Sequence, residues 1–307
     1  MPLGIRPTND FAFKRTFGTP ENRLALISLL NAILNKASPI VEVTLLNPYN
    51  LQDFQDDKLS ILDIKATDQN GAIYNIEMQL SSHVGLIQRL VFYGCELYAD
   101  QLKVGDGYRG ANPVFSICIV DGHIWPDSTK VHHAFRFTDA ESGRVLPETV
   151  EIHTLELTRY NMTEADLKTA SLLECWLYWF LHAHEYEADV LRKLFPQPPI
   201  RQATDTIATI AEMTEDKTMY DAREKEKRDR IWLANIARDE AIDARDQGLR
   251  EGRLEGKLEG EIKLIRTLQG LLGPDTTKEA ELRALTLPQL EALTTELQEK
   301  LRNRRTP

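Results

Sequence analysis

The chain has 307 residues, of which 42% are hydrophobic, and this is enough for one large domain with an extension or for two domains. Its net charge of -10 at pH 7 excludes a protein that coats nucleic acid through a broad basic surface, but not an enzyme with a local cationic groove. The most apolar runs are short and interrupted by charge, so we expect no membrane-spanning helix.

The first residues, MPLGIRPTNDFAFKRTF, contain no continuous apolar core and no small-residue cleavage site, so they do not predict a signal peptide. The three cysteines, Cys95, Cys118 and Cys175, lie far apart and form no CxxC pair. Cysteines in this pattern are typical of buried thiols in a reducing compartment, not of a disulfide or zinc framework. We therefore expect a cytoplasmic protein.

Helical and strand patterns follow one another through the first two thirds of the chain. Thr8 or Asn9 is a candidate cap for a first helix, and Gly18-Thr19-Pro20 interrupts it. A second helix is predicted from one apolar face, formed by Leu24, Ile27, Leu30, Ile33 and Leu34.

After these helices the chain changes to strand patterns. IVEVTLLNPY predicts a strand, residues 59–80 a hairpin, and residues 82–103 a helix. PVFSICIV predicts a buried strand, HAFRFTD and TVEIHTLEL predict further strands, and residues 163–187 are again helical. On the helix of residues 163–187, Trp176 and Trp179 are predicted to be core residues. This order predicts an α/β or α+β fold in which helices flank a mixed sheet.

Composition shifts near residue 200, so we predict a first domain over residues 1–200 and a charged helical extension over residues 201–307. Glycine recurs every four residues from Gly248 to Gly260. Each interior glycine costs a helix about 1 kcal/mol relative to alanine, which favours a solvated, partly frayed helix. A short amphipathic helix is predicted to begin near Pro288.

The alternative interpretation of this extension is a helix that forms a homodimer. Apolar residues recur there at a spacing near the helical period and offer a strip to a partner helix. They are Leu249, Leu254, Leu258, Ile262 and Ile265.

The hairpin segment LSILDIKATDQNGAIYNIEMQL contains two acids, Asp63 and Glu77, within runs that otherwise alternate like buried strands. If residues 69–71 form a three-residue loop with its glycine in the left-handed conformation, Asp63 lies directly opposite Glu77. A two-residue Asn-Gly turn would shift the register by one residue and bury one acid among apolar side chains. The three-residue loop is therefore the better prediction.

This register gives the hairpin one apolar face and one polar face, which we expect to form the core and a polar cleft. The apolar face consists of Leu62, Ile64, Ala66, Tyr74, Ile76, Met78 and Leu80. The polar face consists of Asp63, Lys65, Asn75, Glu77 and Gln79.

Two directly opposed carboxylates repel each other unless a proton or a cation joins them, so we expect the fold to survive removal of either acid. Mg²⁺ or Mn²⁺ binds such carboxylates together with water and phosphate oxygens, and it can stabilise the charge of a breaking phosphodiester. The alternative is a solvated sheet face on which the acids pair with Lys65 or a nearby arginine.

Several segments together resemble a known family. They are NDFAFKRTFG, LLNAILN, ILDIKATDQNGAIYNIEMQ, QRLVFYGCELYADQLKVGDGY, PVFSICIV and HTLEL. In this order they are similar to the recombination-promoting nuclease and transposase-like family of the PD-(D/E)XK nuclease superfamily. The resemblance covers roughly residues 5–185, and the Gly-Glu repeat is similar to tails of that family. It implies a restriction-endonuclease-like core that hydrolyses DNA with Mg²⁺ or Mn²⁺.

The resemblance also implies residue roles. Asp63 matches the metal-binding aspartate, and Glu77 matches the acid of the E-x-K element. Gln79 stands where that element usually has lysine, so the charge that positions water or stabilises the transition state must come from elsewhere. Lys65, on the same predicted face, is the first candidate for that charge, and Lys14 is the second.

Three further residues receive roles from the same resemblance. Asp10 is placed where relatives carry an auxiliary acid near the metal. Arg89 and Tyr93 lie one turn apart on the following helix, where they are expected to contact DNA phosphate, as is Lys14. A surface salt bridge for Arg89 and a core position for Tyr93 remain open alternatives.

The implied function is that of a magnesium-dependent DNA endonuclease associated with recombination, mobile elements or defence against foreign DNA. The rival is a DNA-binding or assembly protein that keeps the fold with little or no activity, which the acidic charge balance and Gln79 favour. Cleavage of RNA is not separable from cleavage of DNA by sequence.

Overall fold

A computed structural model of the chain describes residues 1–47, 63–82, 85–103, 107–273 and 278–303. The chain divides into two compact units, Met1–Lys227 and Arg228–Pro307. The predicted domain boundary at residue 200 stays a prediction, and the compact unit that contains the sheet extends beyond it to Lys227. Leu62, assigned above to the apolar face of the hairpin, lies outside the described residues.

The first unit contains a six-stranded mixed sheet with the strand order β1-β2-β3-β4-β6-β5. Its strands are β1 (Val43–Leu45), β2 (Asp63–Asp68), β3 (Ile73–Gln79), β4 (Val114–Val120), β5 (His132–Arg136) and β6 (Val150–Glu156). Strands β3, β4 and β6 run parallel, and the remaining pairs are antiparallel. The sheet and its flanking helices confirm the predicted α/β fold.

The helices occur in the predicted order. They are α1 (Asp10–Phe17), α2 (Arg23–Leu34), α3 (Leu86–Ala99), α4 (Leu172–His182), α5 (Ala188–Leu194), α6 (Pro198–Glu212), α7 (Thr214–Leu272), α8 (Glu279–Arg283) and α9 (Leu287–Asn303). The predicted helix over residues 163–187 is divided, because Ser171 caps α4 in a reciprocal capping box with Glu174. Asn9, rather than Thr8, caps α1 by accepting hydrogen bonds from the N–H groups of Phe11 and Ala12.

The main core lies on one face of the sheet. The apolar face of β2 and β3 is buried there together with side chains of α1, α2 and α4, including Trp176 and Trp179 as predicted. The buried face of α2 differs from the prediction, because Leu24 is exposed whereas Leu26 and Leu29 are buried. Helix α2 packs against α4 and α6, and these neighbours decide which part of its wide apolar arc is covered.

Helix α3 packs on the opposite face of the sheet. Leu86 and Leu90 contact Cys118 and Val120 of β4 there. The helix lies close to the sheet at Gly94, where a Cβ atom would stand 3.0 Å from Val150 Cγ1. The polar face of the hairpin therefore adjoins a packed helix, and its role as a polar cleft stays a prediction.

The predicted burial of the cysteines holds for two of the three. Cys118 and Cys175 are buried, but Cys95 is exposed. Cys95 follows Gly94 on α3 and lies on the side of the helix that faces away from the sheet.

The second unit has a small core of its own. Ile262, Ile265 and Leu268 of α7 pack against Leu282, Leu290 and Leu297 of α8 and α9. Within this unit the Thr294 hydroxyl also donates a hydrogen bond of 2.7 Å to a carboxylate oxygen of Glu261. Helix α9 confirms the predicted amphipathic helix near Pro288.

The apolar strip predicted for a partner helix is divided between two environments. Ile262 and Ile265 are buried within their own chain, whereas Leu249 and Leu254 are exposed. Apart from neighbouring residues of their own helix, no described atom lies within 4 Å of a Cβ built at any of the repeated glycines, Gly248 to Gly260.

Candidate active site

The hairpin of β2 and β3 has the register that the sequence predicts. Asp63 is the Cα partner of Glu77, and Lys65 is the partner of Asn75. Gly71 has a φ of +85°, and the N–H of Asp68 donates to the carbonyl of Ala72 over 3.1 Å, which closes the three-residue loop. The backbone therefore holds the two acidic positions opposite each other.

Glu77 is fully buried, with 0% of its surface exposed, and its carboxylate accepts three side-chain hydrogen bonds from residues that the structure describes. Arg89 donates from a terminal nitrogen to Oε2 over 2.8 Å, and the amide of Gln79 donates to the same oxygen over 3.2 Å. The amide of Asn75 donates to Oε1 over 3.3 Å. A buried carboxylate requires such donors, since burial of an unpaired charge is costly.

Lys65 and Gln79 lie on the same face of the hairpin as Glu77. Lys65 is half-buried, and its backbone N–H donates to Asn47 Oδ1 over 2.6 Å. Among the described residues, no ion pair engages its ammonium group. Nothing is described of the side chain of Asp63, so the structure places this residue by its backbone alone.

Arg89 and Tyr93 lie one turn apart on α3, as predicted. Arg89 forms a salt bridge with Glu77 while 36% of its side chain remains exposed. Its guanidinium carbon lies 6.0 Å from the centre of the Tyr93 ring, and Tyr93 is half-buried. A salt bridge was one of the alternatives that the sequence left for Arg89, and the structure shows that the partner in this salt bridge is the catalytic candidate Glu77.

Asp10 and Lys14 lie on α1, which packs on the core face of the sheet. The C-terminal end of this helix is the part close to β2, because Gly18 lies there beside Ile64. Asp10 begins the helix, about 12 Å along its axis from Gly18. Among the described residues, no contact joins Asp10 to Glu77.

The described ionic partner of Asp10 is Arg223 of α7, whose Nε lies 3.8 Å from Oδ2. Burial raises the pKa of Asp10 above its ordinary value, and the nearby Arg223 opposes that rise. The predicted role of Asp10 beside a metal stays a prediction.

A second buried acid, Glu156, lies on the same sheet face as Glu77, at the end of β6. Arg159 donates to Oε2 from its Nε over 2.6 Å, and the backbone N–H of Trp125 donates to Oε1 over 3.1 Å. His123 Nδ1 stands 3.6 Å from the same carboxylate. Sequence reasoning missed this cluster, although an acid within a strand pattern, the feature that singled out Asp63 and Glu77, was also present at Glu156.

Sequence reasoning also missed the contribution of Asn75. It is fully buried two residues before Glu77, and the alternation along β3 had already placed it on the polar face. Its Oδ1 has no hydrogen-bond partner among the described residues. Asn75 therefore helps to hold the Glu77 carboxylate in place from within the same strand.

The chain was compared with protein families, curated proteins and solved structures. The family model described as a PD-(D/E)XK nuclease family transposase matches residues 7–237. Neither the curated proteins nor the solved structures gave a match. In the part of the chain that the structure describes, no helix is both long and apolar enough to cross a membrane.

Proposed function

The chain belongs to the PD-(D/E)XK nuclease family of transposases, and we propose that it is a metal-dependent endonuclease that hydrolyses DNA phosphodiester bonds. The observation that carries the proposal is the direct opposition of Asp63 and Glu77 in the hairpin. Mg²⁺ binds through one or two carboxylates together with water and phosphate oxygens, and these two positions can supply both carboxylates. Recombination of mobile elements or defence against foreign DNA is the proposed setting.

The donor set fits Mg²⁺ or Mn²⁺ better than a softer metal. Asp63 and Glu77 supply carboxylate oxygens, and among the described residues Oε1 of Glu77 accepts only the long hydrogen bond from Asn75. Among the side chains that the structure describes, no group of three or more His, Cys, Asp or Glu residues could hold a metal. Asp63 is not among those side chains. When bound, the cation supplies charge stabilisation at the phosphate and activation of water.

The neighbouring side chains have distinct proposed roles. Gln79 donates to Glu77 and fixes the orientation of that carboxylate. Lys65 brings a positive charge to the same face of the hairpin, which compensates for the absence of lysine at position 79. Arg89 brings a second positive charge to the site from α3. Asp10 is left out of this set because its described partner is Arg223.

A plasmid-cleavage assay tests the proposal. We expect cleavage with Mg²⁺ or Mn²⁺, none with EDTA, and a loss on the order of 10²-fold or more for Asp63→Asn. Glu151→Gln is the matched control, because Glu151 lies on β6 of the same sheet but on its other face, where it pairs with Arg136. Cleavage by Asp63→Asn at the parental rate would show that the site is wrongly assigned.

A second candidate function is DNA binding without cleavage. Two observations favour it: glutamine replaces lysine at position 79, and Arg89 already neutralises Glu77. The same preparation distinguishes the two functions. DNA binding that is unaffected by Asp63→Asn, with no cleavage under any metal, would support the binding protein.

A further inference from the structure

The hydrogen bond between Arg89 and Glu77 uses an oxygen that a cation bound through both carboxylate oxygens would need. Oε2 accepts from both Arg89 and Gln79, over 2.8 Å and 3.2 Å. A carboxylate oxygen offers two lone pairs, so both acceptor positions of Oε2 are occupied. Within the described part of the chain, Oε1 accepts one hydrogen bond, from Asn75. A cation that binds Glu77 through both oxygens must therefore displace Arg89 or Gln79.

Electrostatics identifies Arg89 as the group that leaves. A guanidinium 2.8 Å from one carboxylate oxygen would lie close to a divalent cation bound to the same carboxylate, and like charges so close repel strongly in a buried site. The Gln79 amide is neutral and can rotate to present its oxygen instead. Charge repulsion therefore acts on Arg89 and hardly on Gln79.

Arg89 also lies where its guanidinium can move from Glu77 towards solvent. Its side chain is 36% exposed, whereas Glu77 is fully buried, so the guanidinium lies at the boundary between the site and solvent. Its Nε has no hydrogen-bond partner among the described residues. A guanidinium binds phosphate through two parallel N–H groups, and Arg89 has an uncommitted donor for this geometry.

We propose that Arg89 is an exchangeable counterion of Glu77: a divalent cation displaces it from the carboxylate, and the released guanidinium then binds a DNA phosphate. This inference rests on the proposed nuclease function. It couples metal binding to DNA binding, because the cation releases the arginine that then binds the DNA phosphate. By thermodynamic linkage, DNA must then raise the affinity for the metal.

The exchange predicts opposite effects of one substitution on two ligands. Arg89→Met keeps an aliphatic side chain beside Tyr93 but removes the competing charge. Mn²⁺ should then bind about tenfold more tightly in the absence of DNA, because a charged hydrogen bond no longer has to be broken. The same variant should bind a short DNA duplex more weakly in the presence of Mn²⁺.

The experiment is calorimetric titration of the full chain with Mn²⁺, followed by fluorescence anisotropy with a labelled mixed-sequence duplex. Arg109→Met is the control, because Arg109 is an exposed arginine that lies outside α3. Circular dichroism verifies folding of each variant. Arg89→Lys retains the charge without the planar fork, so its Mn²⁺ affinity should fall between those of the parent and Arg89→Met.

The outcomes separate this inference from the proposed function. If Mn²⁺ binds the parent, Asp63→Asn abolishes binding, and Arg89→Met binds no more tightly, the metal site stands and the exchange is refuted. Absence of Mn²⁺ binding in both the parent and Arg89→Met would overturn the metal site and the exchange together. Tighter Mn²⁺ binding with unchanged duplex affinity would refute the transfer of Arg89 to phosphate.

Discussion

Replacing Glu77 by alanine is expected to destabilise the first unit, even though it removes one of two opposed acids. The substitution deletes the acceptor of three hydrogen bonds, including the 2.8 Å bond from Arg89. Removing one partner of a fully buried ion pair costs about 3–5 kcal/mol. Because Arg89 is about one-third exposed and regains water, we expect about 2–3 kcal/mol.

Glu77→Gln should cost less, about 1 kcal/mol, since the amide keeps the shape and one acceptor oxygen for Arg89. The measurement is urea denaturation of both variants, with a double-mutant cycle that includes Arg89→Met. Asp205→Ala is the control. Asp205 accepts a bond of 2.7 Å from Arg192, but that pair lies on the surface and should contribute less than about 1 kcal/mol.

The reasoning would be refuted if Glu77→Ala unfolded within about 0.5 kcal/mol of the parent, or if the cycle gave no coupling between positions 77 and 89. Such a result would support the expectation drawn from sequence, in which the two acids only repel each other and either can be replaced without loss of stability. Loss of folding would instead show how strongly the site depends on its counterion.

Two further predictions concern regions away from the hairpin. Burial, followed by the nearby His153, lowers the pKa of His132 to about 4, so an unfolded chain binds more protons between pH 6.5 and 4. The free energy of unfolding should therefore fall between pH 7 and pH 5, by at most about 2 kcal/mol and by less where water screens the ring. Urea denaturation at both pH values should show this fall in the parent but not in His132→Gln. An equal pH dependence in that variant would contradict the assignment. Light scattering should find a homodimer for the full chain and a folded monomer for residues 1–227, whereas ending the chain at residue 200 removes most of α6, including the buried Ile207, and should expose the core side chains of α1 and α2 that α6 covers. A monomeric full-length protein at tens of micromolar would contradict the homodimer.

The sequence determined the hairpin because its information is local. Alternation of apolar and polar residues fixes which side chains share a face, and the loop at residues 69–71 fixes the register. These two rules place Asp63 opposite Glu77 without reference to the rest of the chain. The same local character explains why the order of strands and helices, a helix cap at Thr8 or Asn9, and the helix near Pro288 could be predicted.

Tertiary packing decided which charges meet the predicted acids. Arg89 reaches Glu77 only because α3 crosses the sheet closely, and that approach depends on Gly94 beside Val150. No periodicity in the sequence specifies this contact, and none indicated that Asp10 would pair with Arg223 instead. Burial of the α2 face and of Ile265 likewise depended on which helices packed there. Alternation and turn chemistry act between neighbours in sequence, whereas ion pairs between elements depend on the distances that a finished core imposes.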